Sequence, residues 1–507
     1  MTNHLFGAIR DAIVNADAVF METADGKVWT YVDMLACSGQ LANALVAEGL
    51  KPGDRVAVQV EKSPQALMLY LACLRAGLVY LPLNPAYTLA ELDYFMGDAE
   101  PKIIVGTPSA AGEGLRAIAA KHGAGVETLD EHGQGSLTEK AVAAGTDFVD
   151  VSRGPDDLAA ILYTSGTTGR SKGAMLTHDN LLSNALTLKD YWRFTARDRL
   201  IHALPIFHTH GLFVATNVIL AANASMFFLP KFDAARVVAL MQRATALMGV
   251  PTFYVRLLQQ PGLTRESAST IRVFISGSAP LLAETHRAFA ERTGQAILER
   301  YGMTETNMNT SNPYDGERVA GTVGFPLPGI RLRVVDPQTG SPLAQGETGI
   351  IEVNGRNVFK GYWRMPEKTA AEFRADGFFI TGDLGTIDEK GYVSIVGRGK
   401  DLVISGGYNV YPKEVENEID QLPGVVESAV IGVPHSDFGE AVVAVVVRQP
   451  RADFDEKAVI ALLADRLARF KQPKRVVFVD ELPRNTMGKV QKNVLCETYA
   501  RLYVADK

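Results

Sequence analysis

Apolar and polar positions follow two rhythms along this chain. Over its longer first part, helix-like and strand-like stretches alternate. Ser63 followed by Pro64 predicts a helix that runs through Leu74, with serine as the cap and proline in the first turn. Gly77 closes it, and residues 79–83 read as a short buried strand. Asp156 and Asp157 precede the apolar run 158–162, which reads as another strand. Such alternation predicts α/β layers. Near residue 330 the rhythm changes. Short alternating runs at 331–336, 349–353 and 392–396 sit between Gly and Pro turns and predict antiparallel strands, as in a small barrel. Gly397, Arg398, Gly399 and Lys400 then read as a linker. Beyond it a helix over 413–422 starts after Pro412, and strands follow at 428–433 and 441–447. Residues 455–469 read as an amphipathic helix with Val459, Leu462, Leu463 and Leu467 on one face. The expected division is 1–396, a hinge at 397–400, and 401–507.

Composition narrows the class. A chain of 507 residues is too long for one core, which agrees with two domains. Apolar residues at 47% and charged ones at 21% are ordinary globular values. A net charge of −6 argues against a nucleic-acid partner. Cys37, Cys73 and Cys496 form no CxxC pair, so neither a disulfide framework nor a zinc site is expected. Arg10, Asp11 and Asp17 interrupt the apolar N-terminus, unlike a signal peptide. The longest apolar run, 66–74, is far short of a membrane span. The expectation is a cytoplasmic enzyme without a membrane partner.

The chemistry starts directly after the 158–162 strand. Tyr163, Thr164, Ser165, Gly166, Thr167, Thr168, Gly169, Arg170, Ser171, Lys172 and Gly173 form one run. Glycines let the backbone turn tightly and aim N–H groups inward, while hydroxyls and a lysine add donors around the same point. That is the chemistry of a polyphosphate cradle. The spacing is not that of a Walker A loop.

With this run the chain resembles the adenylate-forming superfamily, which includes acyl-CoA synthetases, firefly-type luciferases and peptide-synthetase adenylation domains. Five further segments resemble that family's motifs in the family's order: residues 77–84, 301–306, 381–383, 397–401 and 483–489. The resemblance implies a large N-terminal domain of two α/β layers plus a small β-barrel, and a mobile α+β C-terminal domain. It implies ATP, Mg2+ and coenzyme A as cofactor and co-substrates. Lys172 and the loop amides would hold the β- and γ-phosphates, with Tyr301 in the adenine motif. Glu305 would bind the metal, and Thr304 would help orient phosphates. Asp383 would accept from the ribose hydroxyls, with Arg398 as a further nucleotide contact. Lys489 would bridge the attacking carboxylate and the α-phosphate. Lys400 would be the hinge about which the C-terminal domain turns between half-reactions. Gly406 and Gly407 would leave room for the pantetheine arm. Residues 466–492 carry eight Lys or Arg against two Asp or Glu, a candidate region for the nucleotide end of CoA. An exposed Lys489 would also be open to a lysine acetyltransferase.

The acid is read from the pocket. Arg300 stands where many members have a small residue, and a buried guanidinium without an anion costs several kcal/mol. Arg256, Ser278 and His208 lie in segments that form the acyl pocket of the family. Two arginines and a hydroxyl suit a second carboxylate. This part of the chain is similar to malonyl-CoA synthetases, which implies malonate as substrate; methylmalonate or a small monocarboxylate is the alternative. Phe207 is followed by His208 and not by aspartate, which disfavours amino acids.

Overall fold

The computed structural model describes residues 3–503, apart from 165–170, 406–407, 436–437, 451, 453, 465 and 487. The chain divides into two compact units: residues 1–331 with 354–379, and residues 332–353 with 380–507. Compactness thus places the strands on both sides of Lys400 in one unit, a different division from the one the motifs suggest.

The first unit holds two large sheets. One has seven strands, and the other has nine. Their parallel strands, such as Val79–Pro82, Ile103–Gly106 and Val273–Ser276, are short and buried throughout, as strands covered on both faces must be. The Pro64–Ala76 helix forms as its sequence predicts. Ser63 accepts from the Ala66 amide at 3.2 Å, and Gly77 closes the helix with φ 69°. Cys73 is fully buried in it as a small apolar group.

In the second unit the strands Arg331–Val335, Gly349–Asn354, Phe379–Ile387 and Val393–Arg398 form a four-stranded sheet. A five-stranded sheet is built round the long antiparallel pair Val425–His435 and Gly439–Arg448. Alternate residues of this pair feed opposite cores. Val430, Val442, Ala444 and Val446 meet Val415, Ile419, Val459 and Leu463 on one face. Ala429, Ile431, Val433, Val443 and Val445 meet Leu482 and Leu495 on the other.

Two expected elements change. The amphipathic helix covers only Glu456–Leu463, and Leu462 is 52% exposed. The chain bends after Leu463, where the Gln472 amide donates to the Leu467 carbonyl at 2.8 Å, and Leu467 rejoins the core from a turn. The expected linker is not loose chain either. Gly397 and Arg398 finish the Val393–Arg398 strand, and Gly399–Asp401 is a turn of 3-10 helix.

Candidate active site

Four neighbouring strands of the nine-stranded sheet carry the acid side of the site. Arg199–His202, Ala246–Gly249, Val273–Ser276 and Leu298–Met303 run parallel and adjacent. The segments leaving their carboxyl ends hold His208, Arg256 and Ser278, while Arg300 lies within the fourth strand. Ligands of α/β folds bind at this edge.

Arg300 is 2% exposed. Its Nε and Nη2 have no hydrogen-bond partner among the described residues. Glu299 neighbours it in the strand, so its side chain points to the opposite face and accepts from the Leu281 amide. Glu305 accepts from the Tyr362 hydroxyl instead. The structure therefore gives Arg300 neither of the glutamates as an ion pair. Burial pushes the guanidinium down to about 9, against weaker pulls from Tyr254 and Glu299. Gly277 makes room for it: a Cβ there would come within 2.5 Å of the guanidinium carbon.

Two histidines face this arginine. His210 is fully buried, and its Nδ1 is 3.2 Å from the Ser278 hydroxyl. Burial first, then Arg300, hold His210 well below the usual imidazole range. The same two causes, burial first, push His208 down to about 4. Both rings are therefore neutral donors or acceptors near neutral pH. Ser278 has φ 75°, a strained conformation for a residue with a side chain. His210 Nε2, Ser276 Oγ and Asn307 Nδ2 are, like Arg300, buried without partners among the described residues. Buried polar groups are normally satisfied, so a cluster of exceptions points to a polar ligand.

Arg256 does not join them. It lies exposed on the Pro251–Leu258 helix, whose buried positions 251, 254 and 257 face the core, and it forms no ion pair among the described residues. The expected two-arginine clamp is thus only half assembled.

On the nucleotide side, Leu158–Thr164 and Lys172–Thr177 pair antiparallel, with Thr164 opposite Lys172. Ser165, Gly166, Thr167, Thr168 and Gly169 lie outside the described residues. The Gly361–Tyr362 strand adds to the same sheet, with Tyr362 opposite Ala174. Lys172 Nζ therefore sits 4.1 Å from the Tyr362 ring centre and 3.2 Å from Glu372 Oε1. Tyr301 is in the Leu298–Met303 strand, and Thr304 and Glu305 are in the turn after it. Gly302 is required there, because a Cβ would fall 1.9 Å from the Asn307 carbonyl oxygen.

Glu305 is 6% exposed, and no group of three His, Cys, Asp or Glu able to hold a metal occurs among the described residues. One buried carboxylate suits Mg2+, which keeps its waters and takes its remaining ligands from substrate phosphates.

In the second unit Asp383 stands opposite Arg398 across its strand pair. Lys489 follows Gly488, φ 75°, in a turn closed by Asn485. The residue is exposed by surface area. Burial, then Arg398, lower its pKa, while Asp383 and Asp401 raise it. Lys489 thus lies in the field of both nucleotide candidates. Lys400 is exposed in its 3-10 turn. Gly406 and Gly407 lie outside the described residues; the strands before and after them, Val403–Ser405 and Tyr408–Val410, pair as a hairpin.

The basic stretch 466–492 is largely compensated. Arg466, Lys471, Arg475, Arg484 and Lys492 pair with Glu418, Glu414, Glu456, Glu427 and Glu416. It is a poor candidate for the CoA nucleotide end. The sequence reading placed the segment from His208 to Gly211 at the acid end of the pocket but singled out only His208 and not His210, and it missed Tyr362 and Glu372. His210 had a signal, its place two residues after His208; the other two had none.

The fold and this site define an enzyme class. The chain belongs to the AMP-binding enzyme family: residues 10–363 match that family, and residues 414–489 match the AMP-binding enzyme C-terminal domain. The ATP-bound crystal structure of MatB from Rhodopseudomonas palustris is 66% identical, with TM-score 0.98 over 99% of this chain and 100% of that one. A feruloyl-CoA synthase from Amycolatopsis sp is 37% identical over 92% of this chain and 93% of its own length. A malonate–CoA ligase from Arabidopsis thaliana is 33% identical over 97% and 90%.

Proposed function

We propose that the chain is an ATP-dependent ligase that joins malonate to coenzyme A. A malonate oxygen attacks the α-phosphorus, the bond to the bridging oxygen breaks, and pyrophosphate leaves. The CoA thiol then loses its proton and attacks the acyl carbon of malonyl-adenylate, and AMP leaves. Lys172 holds the outer phosphates, Asp383 and Arg398 hold the ribose, and Tyr301 lies by the adenine. Glu305 would hold Mg2+, which would supply charge to neutralise the phosphates, and Thr304 orients the phosphates. Lys489 places positive charge between the two anions that must meet. Lys400 is the hinge. Gly406 and Gly407 admit the pantetheine arm.

The observation that carries the choice of acid is Arg300. Its Nε and Nη2 are the two donors of a side-on guanidinium face, and both are buried and unpaired among the described residues. A carboxylate satisfies both at once. Malonate keeps such a carboxylate after the other has been activated; feruloyl, fatty and small monocarboxylic acids do not. Ser278, His208 and His210 add neutral donors, while Arg256, exposed on its helix, adds only a more distant positive charge. Identity to MatB, at 66%, is far above that to the feruloyl-CoA synthase at 37% and the malonate–CoA ligase at 33%. The cysteine usage suits a cytoplasmic enzyme, and no helix among the described residues is long and apolar enough to cross a membrane. Lys489 is exposed enough for a lysine acetyltransferase to reach.

The test is pyrophosphate release and thioester formation over mono- and dicarboxylic acids of two to six carbons. Malonate is expected to be the best substrate, with methylmalonate next. A preference for any monocarboxylate would overturn the assignment.

A further inference from the structure

Lys172 is joined to Glu372, Tyr362 and Lys368, none of which the proposed reaction uses, and through Tyr362 to Glu305. Its Nζ is 3.2 Å from Glu372 Oε1, and the same oxygen receives Lys368 at 2.7 Å. The Tyr362 hydroxyl lies 2.8 Å from Glu372 Oε2 and 3.0 Å from Glu305 Oε1. The geometry has a local cause. Tyr362 sits opposite Ala174, two residues along from Lys172 and so on the same face of that strand. The Pro366–Ala371 helix then brings Lys368 and Glu372 together one turn apart.

Around Glu372 and Tyr362 the charge and proton counts do not match one to one. One carboxylate oxygen of Glu372 takes two ammonium groups where one would neutralise it. A phenol has one proton, so Tyr362 can donate to only one of the two carboxylates at a time. Both mismatches disappear together if Lys172 moves to a phosphate and Glu305 to a cation. Glu372 then keeps Lys368 and receives the whole Tyr362 proton. It is never left as an unpaired half-buried charge, which would be costly.

We propose that Glu372 is a positioning residue for the nucleotide, an internal counter-anion that holds Lys172 and yields it to the β- and γ-phosphates of ATP. Binding of MgATP is then an exchange of anions at Lys172, and Glu372 sets its affinity. The inference rests on the reading of Lys172 as the phosphate-holding lysine. AMP lacks the outer phosphates and gains nothing from the exchange.

The experiment measures MgATP and AMP affinities of the full chain by calorimetry at fixed free Mg2+. Glu372→Gln keeps the shape and the Tyr362 hydrogen bond but removes the competing charge. It is expected to tighten MgATP by roughly twofold to tenfold, the scale of a partly exposed ion pair, and to leave AMP unchanged. A gain in affinity cannot come from damage to the fold. Lys368→Met leaves Glu372 more dependent on Lys172 and is expected to weaken MgATP by a similar factor. Unchanged or weaker MgATP binding in Glu372→Gln overturns the inference, and so does equal tightening of AMP. Lys172→Ala separates the two readings. If it leaves MgATP affinity intact, the phosphate role of Lys172 fails. If it weakens MgATP and Glu372→Gln still does not tighten it, only the counter-anion role fails. In Lys172→Ala the added Glu372→Gln change is expected to have no further effect.

Discussion

Asp383 and Arg398 face each other across the antiparallel pair of the Phe379–Ile387 and Val393–Arg398 strands, and their side chains meet at 2.6 Å. Asp383 is 4% exposed, so its carboxylate is held in one orientation by this partner and by the strand that carries it. A fixed carboxylate can accept from two vicinal hydroxyls, which is how the ribose of ATP would be recognised. Asp383→Asn is expected to raise KM for ATP by roughly tenfold to a thousandfold, and to leave KM for the acid nearly unchanged. The decisive comparison is ATP against 2′-deoxy-ATP. Wild type should discriminate between them, and the variant should largely lose that discrimination. A variant that still discriminates fully places the ribose elsewhere.

Lys489 lies within the field of that pair, and it is proposed to act only in the first half-reaction. Lys489→Ala should lose adenylate formation yet still convert synthetic malonyl-adenylate and CoA to the thioester. Near-normal pyrophosphate exchange in the variant would remove the role. The pH dependence has a definite sign. The pKa of Lys489 is lowered, so its charge is lost at a lower pH than that of an ordinary lysine. Adenylation should therefore decline earlier on the alkaline side than the thioester step measured from synthetic adenylate. Acetylation at Lys489 removes the same charge and should silence adenylation alone.

Local signals carried most of the fold. Ser63, Pro64 and Gly77 bound their helix because a cap, a fixed φ and a left-handed turn are properties of single residues. Arg300 could be singled out because it stands where many members of the family have a small residue, and that departure is visible in the sequence. Its lack of partners could not be, since that depends on Glu299 pointing to the other face and on Glu305 being held by Tyr362, 57 positions away. Glu372 was illegible for the same reason, as it meets Lys172 across 200 positions. Apolar spacing predicts a helix over 455–469, longer than the observed Glu456–Leu463, because such spacing does not record where a chain bends. Arg256 was placed in the pocket by its motif, but side-chain exposure within an amphipathic helix is set by its neighbours, here Tyr254 and Leu257.

Lys400 occupies the centre of the Gly399–Asp401 turn, which is closed by the Leu402 amide donating to the Gly399 carbonyl at 3.3 Å. Proline at this exposed position restricts φ and should fix one orientation of the chain that follows. In Lys400→Pro, adenylation is expected to survive while thioester formation falls much further. Equal loss of both half-reactions would indicate general damage and not a hinge.

Asp420 ends the Pro412–Asp420 helix and accepts from the Ser428 hydroxyl at 2.7 Å. Burial pushes its carboxyl up to about 6, and Lys413 and Ser428 only partly oppose this. The folded pKa is above the unfolded one. The contribution to stability is therefore full below the ordinary carboxylate range and is lost as pH rises through about 6. Amide exchange in the Val425–His435 strand should speed up between about pH 4 and 6 beyond the intrinsic base-catalysed increase. Asp420→Asn should remove that excess and stabilise the region at pH 7 by roughly 1–3 kcal/mol. An identical excess in the variant would assign it to another group.

Arg300 and Arg256 make the last test, because the structure gives them different weights. Arg300 is buried with its side-on donors unpaired among the described residues, and Arg256 is exposed on its helix. Truncating one partner of a buried charge pair costs about 2–5 kcal/mol. Arg300→Ala should therefore lower kcat/KM for malonate by roughly tens- to thousands-fold. With propionate no carboxylate meets the guanidinium, so removing a buried and unpaired charge should cost far less and can raise activity. Arg300→Lys should rescue only in part, since an ammonium cannot offer two coplanar donors. Arg256→Ala removes an exposed charge and should cost malonate a smaller factor, roughly tenfold or less, in the same direction. The quantity to compare is the malonate-to-propionate ratio of kcat/KM in wild type and both variants. A collapse of the ratio in Arg300→Ala, with a lesser fall in Arg256→Ala, is the expected pattern. Equal losses with both acids would make the arginines structural, and the assignment to malonate would lose its physical basis.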